Sequence, residues 1–262
     1  EPTLRDGYRY LEVELPLAEA RPMPLDAPAR YHRPAVLRVG SFTDWSELSR
    51  VMAPHYLAAA EVPPDSAIGR QAEEIMRKAS APLERAALAT RLVQDEVSYL
   101  LDGLDGGNYL PQEAAFTWDK RYGDCKAKSV LLLALLKRMG IEAEAVLVAT
   151  RGGDALPELL PVPGDFDHVI VRARIDGVDY WLDGTSTATR LANIGDVPPF
   201  HYALPLRTEG ADLAAMNQRD KTEPDMKMMA QADHSAGIDM PQLFTMTMEV
   251  SGAAGAMIEA VA

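Results

Sequence analysis

Seven consecutive apolar residues, VLLLALL at 130–136, interrupt a chain in which apolar and polar positions otherwise alternate at short intervals. A run of this kind is typical of a helix that is buried on all sides. Asp124 is a suitable N-cap ahead of it, and Gly140 followed by Ile141 is a typical helix stop. The pattern therefore predicts a central buried helix whose first residue is Cys125.

Helical patterns also precede this central helix. The segments 41–61, 63–80 and 81–100 each carry apolar residues at helical spacing. Asp44 is a plausible N-cap of the first segment, and Pro82 falls in the first turn of the third. The sequence therefore predicts three helices before the central one.

Alternating apolar and polar residues predict strands after the central helix. EAEAVLVAT at 142–150 and LFTMTMEVSG at 243–252 are two of them. FDHVIVRARIDGVDYWLDGT at 166–185 is typical of a hairpin, because the Asp-Gly pair at its centre favours a two-residue turn. The glycine-rich segment 101–123 is expected to be a loop, and long loops often carry functional residues.

Composition and charge limit the function classes. Hydrophobic residues make up 47% of the 262-residue chain and charged residues 25%, as in ordinary globular proteins. The net charge of −13 argues against nucleic acid as a ligand, because phosphate binding requires clustered Lys and Arg. No apolar run approaches a membrane span, so no membrane insertion is expected. The first residues lack Met and a signal segment, and we expect the chain to be an excised part of a longer protein.

Cys125 is the single cysteine, which excludes internal disulfides and four-cysteine zinc sites. It is either a small buried hydrophobe or a nucleophile. Its position favours a nucleophile, because unpaired N–H groups and the positive end of the helix dipole stabilise a thiolate. Lys126 and Lys128 add positive charge nearby. We therefore expect its alkylation rate to reach a plateau well below about pH 8.5, the usual value for a free thiol.

A thiolate nucleophile requires an imidazole, which in turn requires an orienting acceptor. Four histidines lie in loops, beside prolines or in polar stretches and are expected at the surface: His32, His55, His201 and His234. His168 instead begins a strand. A two-residue turn places Ile170 opposite Asp183, so that Asp183 is diagonal to His168 on the same face. The alternative for Asp183 is a structural role as a turn or cap residue before Gly184. A metal site that uses Cys125 and His168 is disfavoured, because Asp183 would be a poor third ligand.

Three segments resemble, in chain order, the Cys, His and Asp blocks of the transglutaminase-like superfamily. They are RYGDCKAKSVLLLALLKRMGIEAEAVLV, FDHVIV and YWLDGT, and the resemblance covers about residues 68–190. It implies a papain-like fold in which Cys125 is the nucleophile, His168 the base and Asp183 the acid that orients the base. It also implies acyl transfer through a thioester, with no cofactor and no metal.

The chain departs from these relatives at two positions. They usually have Asp where this chain has Ala127, and Pro where it has Gly184. The resemblance does not identify the second donor to an oxyanion. Gln112 and Trp118, in the segment before the cysteine, are the candidates for an oxyanion or cleft role. We expect this segment and the loop at 151–165 to form the two walls of the cleft.

The resemblance also predicts the organisation of the chain. It implies an α+β fold with N-terminal helices and a central, cysteine-bearing helix packed on an antiparallel sheet, flanked by β-rich segments. Residues 1–45 are interpreted as the end of a β-rich N-terminal domain, 46–200 as the transglutaminase-like catalytic core, and 201–262 as a C-terminal extension that is partly β.

The predicted activity is hydrolysis of an amide or peptide, with a protein or peptide as substrate and partner. Protein-glutamine cross-linking and a non-catalytic binding or scaffold module that keeps the fold are the alternatives. The intact Cys-His-Asp set argues against a module, because a structural role does not require all three residues. Since the relatives are mostly exported, the periplasm or cell surface is the expected location. The sequence makes no prediction about oligomeric state.

Overall fold

The computed structural model describes residues 3–15, 22–31, 38–100, 109–221, 224–237, 239–251 and 255. Its helices, in chain order, are α1 Trp45–Ala59, α2 Ala67–Lys78, α3 Pro82–Glu96, α4 Ala114–Lys120 and α5 Cys125–Arg138. Its strands are β1 Thr3–Arg5, β2 Tyr8–Tyr10, β3 Ser98–Tyr99, β4 Tyr122–Gly123, β5 Glu142–Val148, β6 His168–Ile175, β7 Val178–Leu182, β8 Tyr202–Pro205, β9 Ala214–Ala215, β10 Met226–Asp233 and β11 Leu243–Val250. The fold is therefore of the α+β class that the sequence predicts.

Helix α5 is the centre of the fold and begins at Cys125, as predicted. Its residues 130–136 are all buried, because α2, α3 and α4 cover one side of the helix and β5 and β6 cover the other. The Asp124 carboxylate accepts a hydrogen bond from the Ala127 N–H at 3.0 Å, which caps the helix. At the other end Gly140 has φ +73°, and the Ile141 N–H donates to the Leu136 carbonyl at 3.0 Å.

Helices α1 and α3 begin as the sequence predicts, whereas α2 begins at Ala67, four residues after the start of the predicted segment 63–80. The Asp44 carboxylate accepts from the Glu47 N–H at 2.7 Å, and the Glu47 carboxylate accepts from the Thr43 N–H at 2.7 Å. The two bonds form a variant of the capping box, in which Glu47 reaches past the N-cap Asp44 to the preceding residue. Helix α3 ends at Glu96, several residues before the predicted end at 100. It ends there because β3 pairs in parallel with β4, a contact that the local pattern does not encode.

Five antiparallel strands form the main sheet in the order β7-β6-β5-β8-β9. The hairpin of β6 and β7 has the predicted register, with Arg172 opposite Trp181. Asp176 and Gly177 at its turn have φ 52° and 78°, as a type I′ turn requires. One face of the sheet packs on α5. Its other face forms a second core with residues Val146, Val148, Ile170, Trp181, Val197, Ala203 and Met216.

The prediction of a loop over 101–123 was wrong at its C-terminal end. Residues 114–120 form α4 and 122–123 form β4, whereas 101–108 lie outside the described residues. Ala114 and Thr117 are buried, and α4 packs against α5. A seven-residue helix contains only two turns, so its apolar periodicity is too short to recognise. The helix is stabilised by its packing on α5.

The last strand was predicted correctly, because β11 at Leu243–Val250 lies within 243–252. Its antiparallel partner β10 was not predicted, and together they form a separate two-stranded sheet. The division of the chain at residues 45 and 200 stays a prediction, although the main sheet itself extends to β9. No helix in the described part of the chain is long and apolar enough to cross a membrane.

Candidate active site

Cys125 lies at the N-terminus of α5 and is 7% exposed. The glycine two residues before it is required by close packing. A Cβ atom at Gly123 would lie 2.5 Å from the Cβ atom of Ala127, far inside van der Waals contact. Ala127 itself is fully buried. The small residues at 123 and 127 therefore hold the chain that leads into Cys125 tightly against the first turn of α5.

Both lysines beside the cysteine have partners in the structure. The Lys126 ammonium forms an ion pair with the Asp124 carboxylate. Lys128 is buried, and its Nζ atom donates to the Val97 carbonyl at 2.6 Å. The replacement of the family's usual aspartate by Ala127 therefore leaves neither lysine as a freely solvated charge.

His168 and Asp183 are in contact, as the predicted register of the hairpin requires. His168 is the first residue of β6, and Asp183 directly follows β7. The His168 Nε2 and Asp183 Oδ2 atoms are 2.9 Å apart, and both side chains are mostly buried. The turn and the alternation of side chains along the strands account for this contact, because they place the two residues diagonally on one face.

Two further side chains hold Asp183 in place, and the sequence analysis missed both. The other carboxylate oxygen of Asp183 accepts from the Thr185 N–H at 2.8 Å and from the Thr185 hydroxyl at 2.7 Å. The Gln94 side chain on α3 donates to the Asp183 carbonyl at 2.8 Å. The Asp-Gly-Thr sequence is a recognisable signal for the threonine, since Asp side chains bond to the backbone two residues on. Gln94 has no such signal because it is 89 positions away.

The packing of α5 on β6 brings the cysteine to the imidazole. The buried Ser129 hydroxyl, one turn after Cys125, donates to the Val169 carbonyl at 2.8 Å, next to His168. The Cys125 side chain lies close enough to the His168 ring to contribute to the raised pKa of the imidazole. Because Asp183 occupies Nε2, the ring nitrogen that is left for the thiol is Nδ1. The structure thus brings all three predicted residues together in the order Cys125, His168, Asp183.

The surroundings favour the charged imidazole. Burial, the largest single influence, lowers the pKa of His168. The hydrogen bonds and charges of Asp183 and Cys125 outweigh it and raise this pKa to about 10. Burial likewise raises the pKa of Asp183, but His168 and Thr185 together hold it below its ordinary value. At neutral pH the pair is therefore an imidazolium and a carboxylate.

Two tyrosines also lie within the electrostatic field of the cysteine. Burial, followed by the charges of Cys125 and Asp124, raises the pKa of Tyr56, which is 1% exposed. Burial and the same two charges, with that of Asp183, raise the pKa of Tyr99. Tyr99 is half-exposed, so it is the tyrosine that a substrate can reach. No local signal in the sequence identifies it, because its position depends on the pairing of β3 with β4.

The two candidates for an oxyanion role occupy different surroundings. Trp118 packs against the core, and the Arg121 guanidinium covers its ring at 3.6 Å from the centroid. Gln112 lies beside Gly123, and its buried Oε1 atom has no hydrogen-bond partner among the described residues. An oxyanion role stays a prediction for both. Gln112 is the one of the two that lies against the chain leading into the cysteine.

The walls expected around the site approach each other. The Tyr109 hydroxyl lies beside Gly164. Through this contact the segment before the cysteine meets the loop before His168. On its other side the His168 ring contacts the Phe200 ring edge-on, with the centroids 5.9 Å apart. Of the other histidines, His55, His201 and His234 are exposed, as expected, and His32 lies outside the described residues.

Comparison with known families agrees with this arrangement. Residues 69–183 match the family model described as the transglutaminase-like superfamily. This stretch, less than half of the chain, is thus similar to the transglutaminase-like superfamily, and the match supports a cysteine-based catalytic fold. The resemblance in the three sequence blocks is thereby confirmed. No curated protein matches the chain.

Several solved structures are similar to this chain at low identity. A protein of Parabacteroides distasonis, named as a candidate protease, is 16% identical, with a TM-score of 0.49 and coverage of 76% of this chain and 39% of that chain. A candidate cysteine protease of Cytophaga hutchinsonii is 14% identical, with a TM-score of 0.33 and coverage of 75% of this chain and 55% of that chain. The periplasmic domain of TgpA from Pseudomonas aeruginosa, bound to ethylmercury, is 18% identical, with a TM-score of 0.33 and coverage of 53% of this chain and 51% of that chain. The chain thus spans between about two fifths and just over half of these proteins.

Proposed function

We propose that the protein transfers the acyl group of an amide or peptide to water through a thioester on Cys125. The observation that carries this proposal is the His168 imidazole, which bonds to Asp183 through Nε2 at 2.9 Å and lies within the electrostatic influence of Cys125. A thiolate beside an imidazolium is the activated form of a cysteine nucleophile. In this proposal Cys125 is the nucleophile, His168 the acid and base, and Asp183 the group that orients the imidazole.

The first half of the reaction forms the thioester. The Cys125 sulfur attacks the amide carbonyl carbon, and the carbonyl electrons move onto oxygen. N–H groups at the start of α5 point toward this region and can donate to the oxyanion. When the carbonyl re-forms, the C–N bond breaks and the His168 imidazolium gives its proton to the leaving amine.

The second half returns the enzyme to its starting state. A water molecule attacks the thioester carbon while neutral His168 takes one of its protons. The C–S bond then breaks, which releases a carboxylic acid and restores the thiolate and imidazolium pair. Hydrolysis is favoured over transfer to an amine because water needs no binding site of its own. A non-catalytic module is disfavoured because a buried Cys, His and Asp set in contact has no evident structural purpose.

The same proposal includes an extracytoplasmic location. The motif resemblance supports it, since the relatives that share the three sequence blocks are mostly exported, and TgpA, a structure of low similarity, is named as a periplasmic domain. Fractionation of cells that produce the full-length protein tests this part, and recovery in the cytoplasm alone contradicts it.

Covalent labelling tests the proposed reaction. On incubation with p-nitrophenyl acetate and with a peptide vinyl sulfone, we expect one equivalent of adduct on Cys125, read by intact mass and peptide mapping. The Cys125→Ala variant should retain the fold and gain no adduct. The matched control is Lys137→Gln, at the far end of the same helix. Ser129→Ala is not suitable as a control, because the Ser129 hydroxyl helps to position α5. A folded wild-type protein whose only thiol stays unmodified contradicts the proposal.

A further inference from the structure

Lys128 is 3% exposed, although it lies only three residues after Cys125. Its Nζ atom donates to the Val97 carbonyl at 2.6 Å. Within the described ranges, no carboxylate forms an ion pair with it. Burial of an ammonium group is unfavourable unless hydrogen bonds and opposite charge compensate for it. The position of Lys128 therefore calls for a nearby negative charge.

Several carboxylates lie on the elements around Lys128, and one of them, Glu96 at the end of α3, is exposed and pairs with Arg121 at 3.9 Å. Asp124, on its own helix, is paired with Lys126. Asp95, on α3, is about half exposed and paired with an arginine of the same helix at 3.0 Å. Asp183, at the end of β7, is mostly buried. Burial, the largest influence, lowers the pKa of Lys128, and the charges of Asp183 and Asp95 oppose this. Of the two carboxylates whose charges act on Lys128, Asp183 is thus the buried one.

Packing joins Lys128 to the corner that holds Asp183. A Cβ atom at Gly184, the next residue, would lie 3.5 Å from both the Cβ atom and the carbonyl oxygen of Lys128. Val97, the hydrogen-bond partner of Lys128, directly precedes β3. Lys128 therefore connects the first turn of α5, the end of α3 and the Asp183 corner.

The charges of the site balance only when Lys128 is included. A Cys125 thiolate and a His168 imidazolium neutralise each other, which leaves the negative charge of Asp183. We propose that Lys128 is the buried counter-cation of this site, a positioning residue that keeps Asp183 ionised and directed at His168. This inference rests on the proposed function, since it concerns the charge of the same three residues.

The test is the pH dependence of Cys125 alkylation by iodoacetamide. Removal of a positive charge raises the pKa of every nearby titratable group, so the alkylation profile moves to higher pH. Lys128→Gln keeps a donor for the Val97 carbonyl and lacks the charge, whereas Lys128→Met lacks both. We expect both variants to shift the midpoint upward by at least about half a pH unit, or about threefold in rate on the acid limb. Lys137→Gln, at the exposed end of α5, should leave it in place.

Each other result overturns the inference. If Lys128→Gln has the wild-type profile while Lys128→Met is merely less stable to heat, the lysine acts only through its hydrogen bond. If neither variant folds, NMR of ¹³Cε-lysine-labelled wild type and Asp183→Asn decides instead. Coupling is reciprocal, so loss of the carboxylate must lower the pH at which Lys128 titrates. An unchanged Lys128 titration overturns the inference.

The failure of the proposed function is distinguishable from these outcomes. Alkylation requires a thiolate but no acyl transfer. If the Lys128 variants shift the alkylation profile but wild-type Cys125 forms no acyl adduct, the role of Lys128 as counter-cation stands and the proposed reaction is refuted.

Discussion

Replacement of His168 by alanine is expected to slow acylation of Cys125 by about 10²- to 10⁴-fold while the protein stays folded. Three effects of the imidazole are lost together. In acylation its positive charge no longer stabilises the thiolate and its proton no longer reaches the leaving group, and in the later hydrolysis of the thioester no base activates the water. Burst kinetics with p-nitrophenyl acetate measure the first step, and turnover of a peptide p-nitroanilide measures the whole cycle.

The matched control for this variant is His55→Ala, because His55 is exposed on α1, outside the candidate site. Its rate should equal that of the wild type. Far-ultraviolet circular dichroism checks that the His168 variant retains its helices. Equal acylation rates in the His168 variant and the wild type would rule out the imidazole as acid and base.

Replacement of Asp183 by asparagine is expected to slow acylation at neutral pH, but less than His168→Ala does, because the imidazole itself remains while its counter-charge is lost. Asp183 uses both carboxylate oxygens: one bonds to His168, the other to the N–H and hydroxyl of Thr185. Asparagine has one acceptor oxygen, so its amide group must face either His168 or the Thr185 N–H. With the NH2 group toward His168 the imidazole loses its acceptor, and with the NH2 group toward Thr185 the side chain that orients the imidazole loses its own support.

The pH profile of this variant should change in a defined direction. Asp183 contributes to the rise of the His168 pKa to about 10, so its removal lowers that pKa. The sign follows from linkage: the stabilisation of the imidazolium is complete below its unfolded value near 6.5 and is lost as the pH rises through about 10. In Asp183→Asn the alkaline limb of acylation should therefore fall at lower pH.

Asp179→Asn provides the matched control for Asp183→Asn, because this carboxylate lies on β7, four residues before Asp183, but pairs with Arg174. Its pH profile should superimpose on that of the wild type. Rate measurements between pH 6 and 11 cover the window set by the His168 pKa. An alkaline limb that stays in place in Asp183→Asn would show that the carboxylate does not stabilise the imidazolium.

Local chemistry made much of the candidate site predictable from the sequence. The Asp124 cap and the apolar run define where α5 begins, and hence where Cys125 lies. The Asp-Gly turn fixes the parity of β6 and β7, and hence the pairing of His168 with Asp183. Neighbours in the chain determine each of these features, so a pattern of a few residues is sufficient to predict them.

The remaining parts of the site depend on residues that are distant in the sequence. Helix α4 forms because Ala114 and Thr117 pack against α5, and a short helix has too few turns to show a periodic pattern. Tyr99 reaches the site because β3 pairs with β4 across a segment of more than twenty residues. Gln94 bonds to the backbone of Asp183 from 89 positions away. Such contacts become visible only after the elements are packed.

The sequence by itself determined the elements that carry the three residues and the face of the hairpin on which two of them lie, because caps, periodicity and turns act within a few positions. Only the tertiary structure decided that Cys125 meets the imidazole, through the packing of α5 on β6 and the Ser129 bond to Val169. It also decided that Lys128 is buried near Asp183, because burial depends on what α3 and the end of β7 place around it.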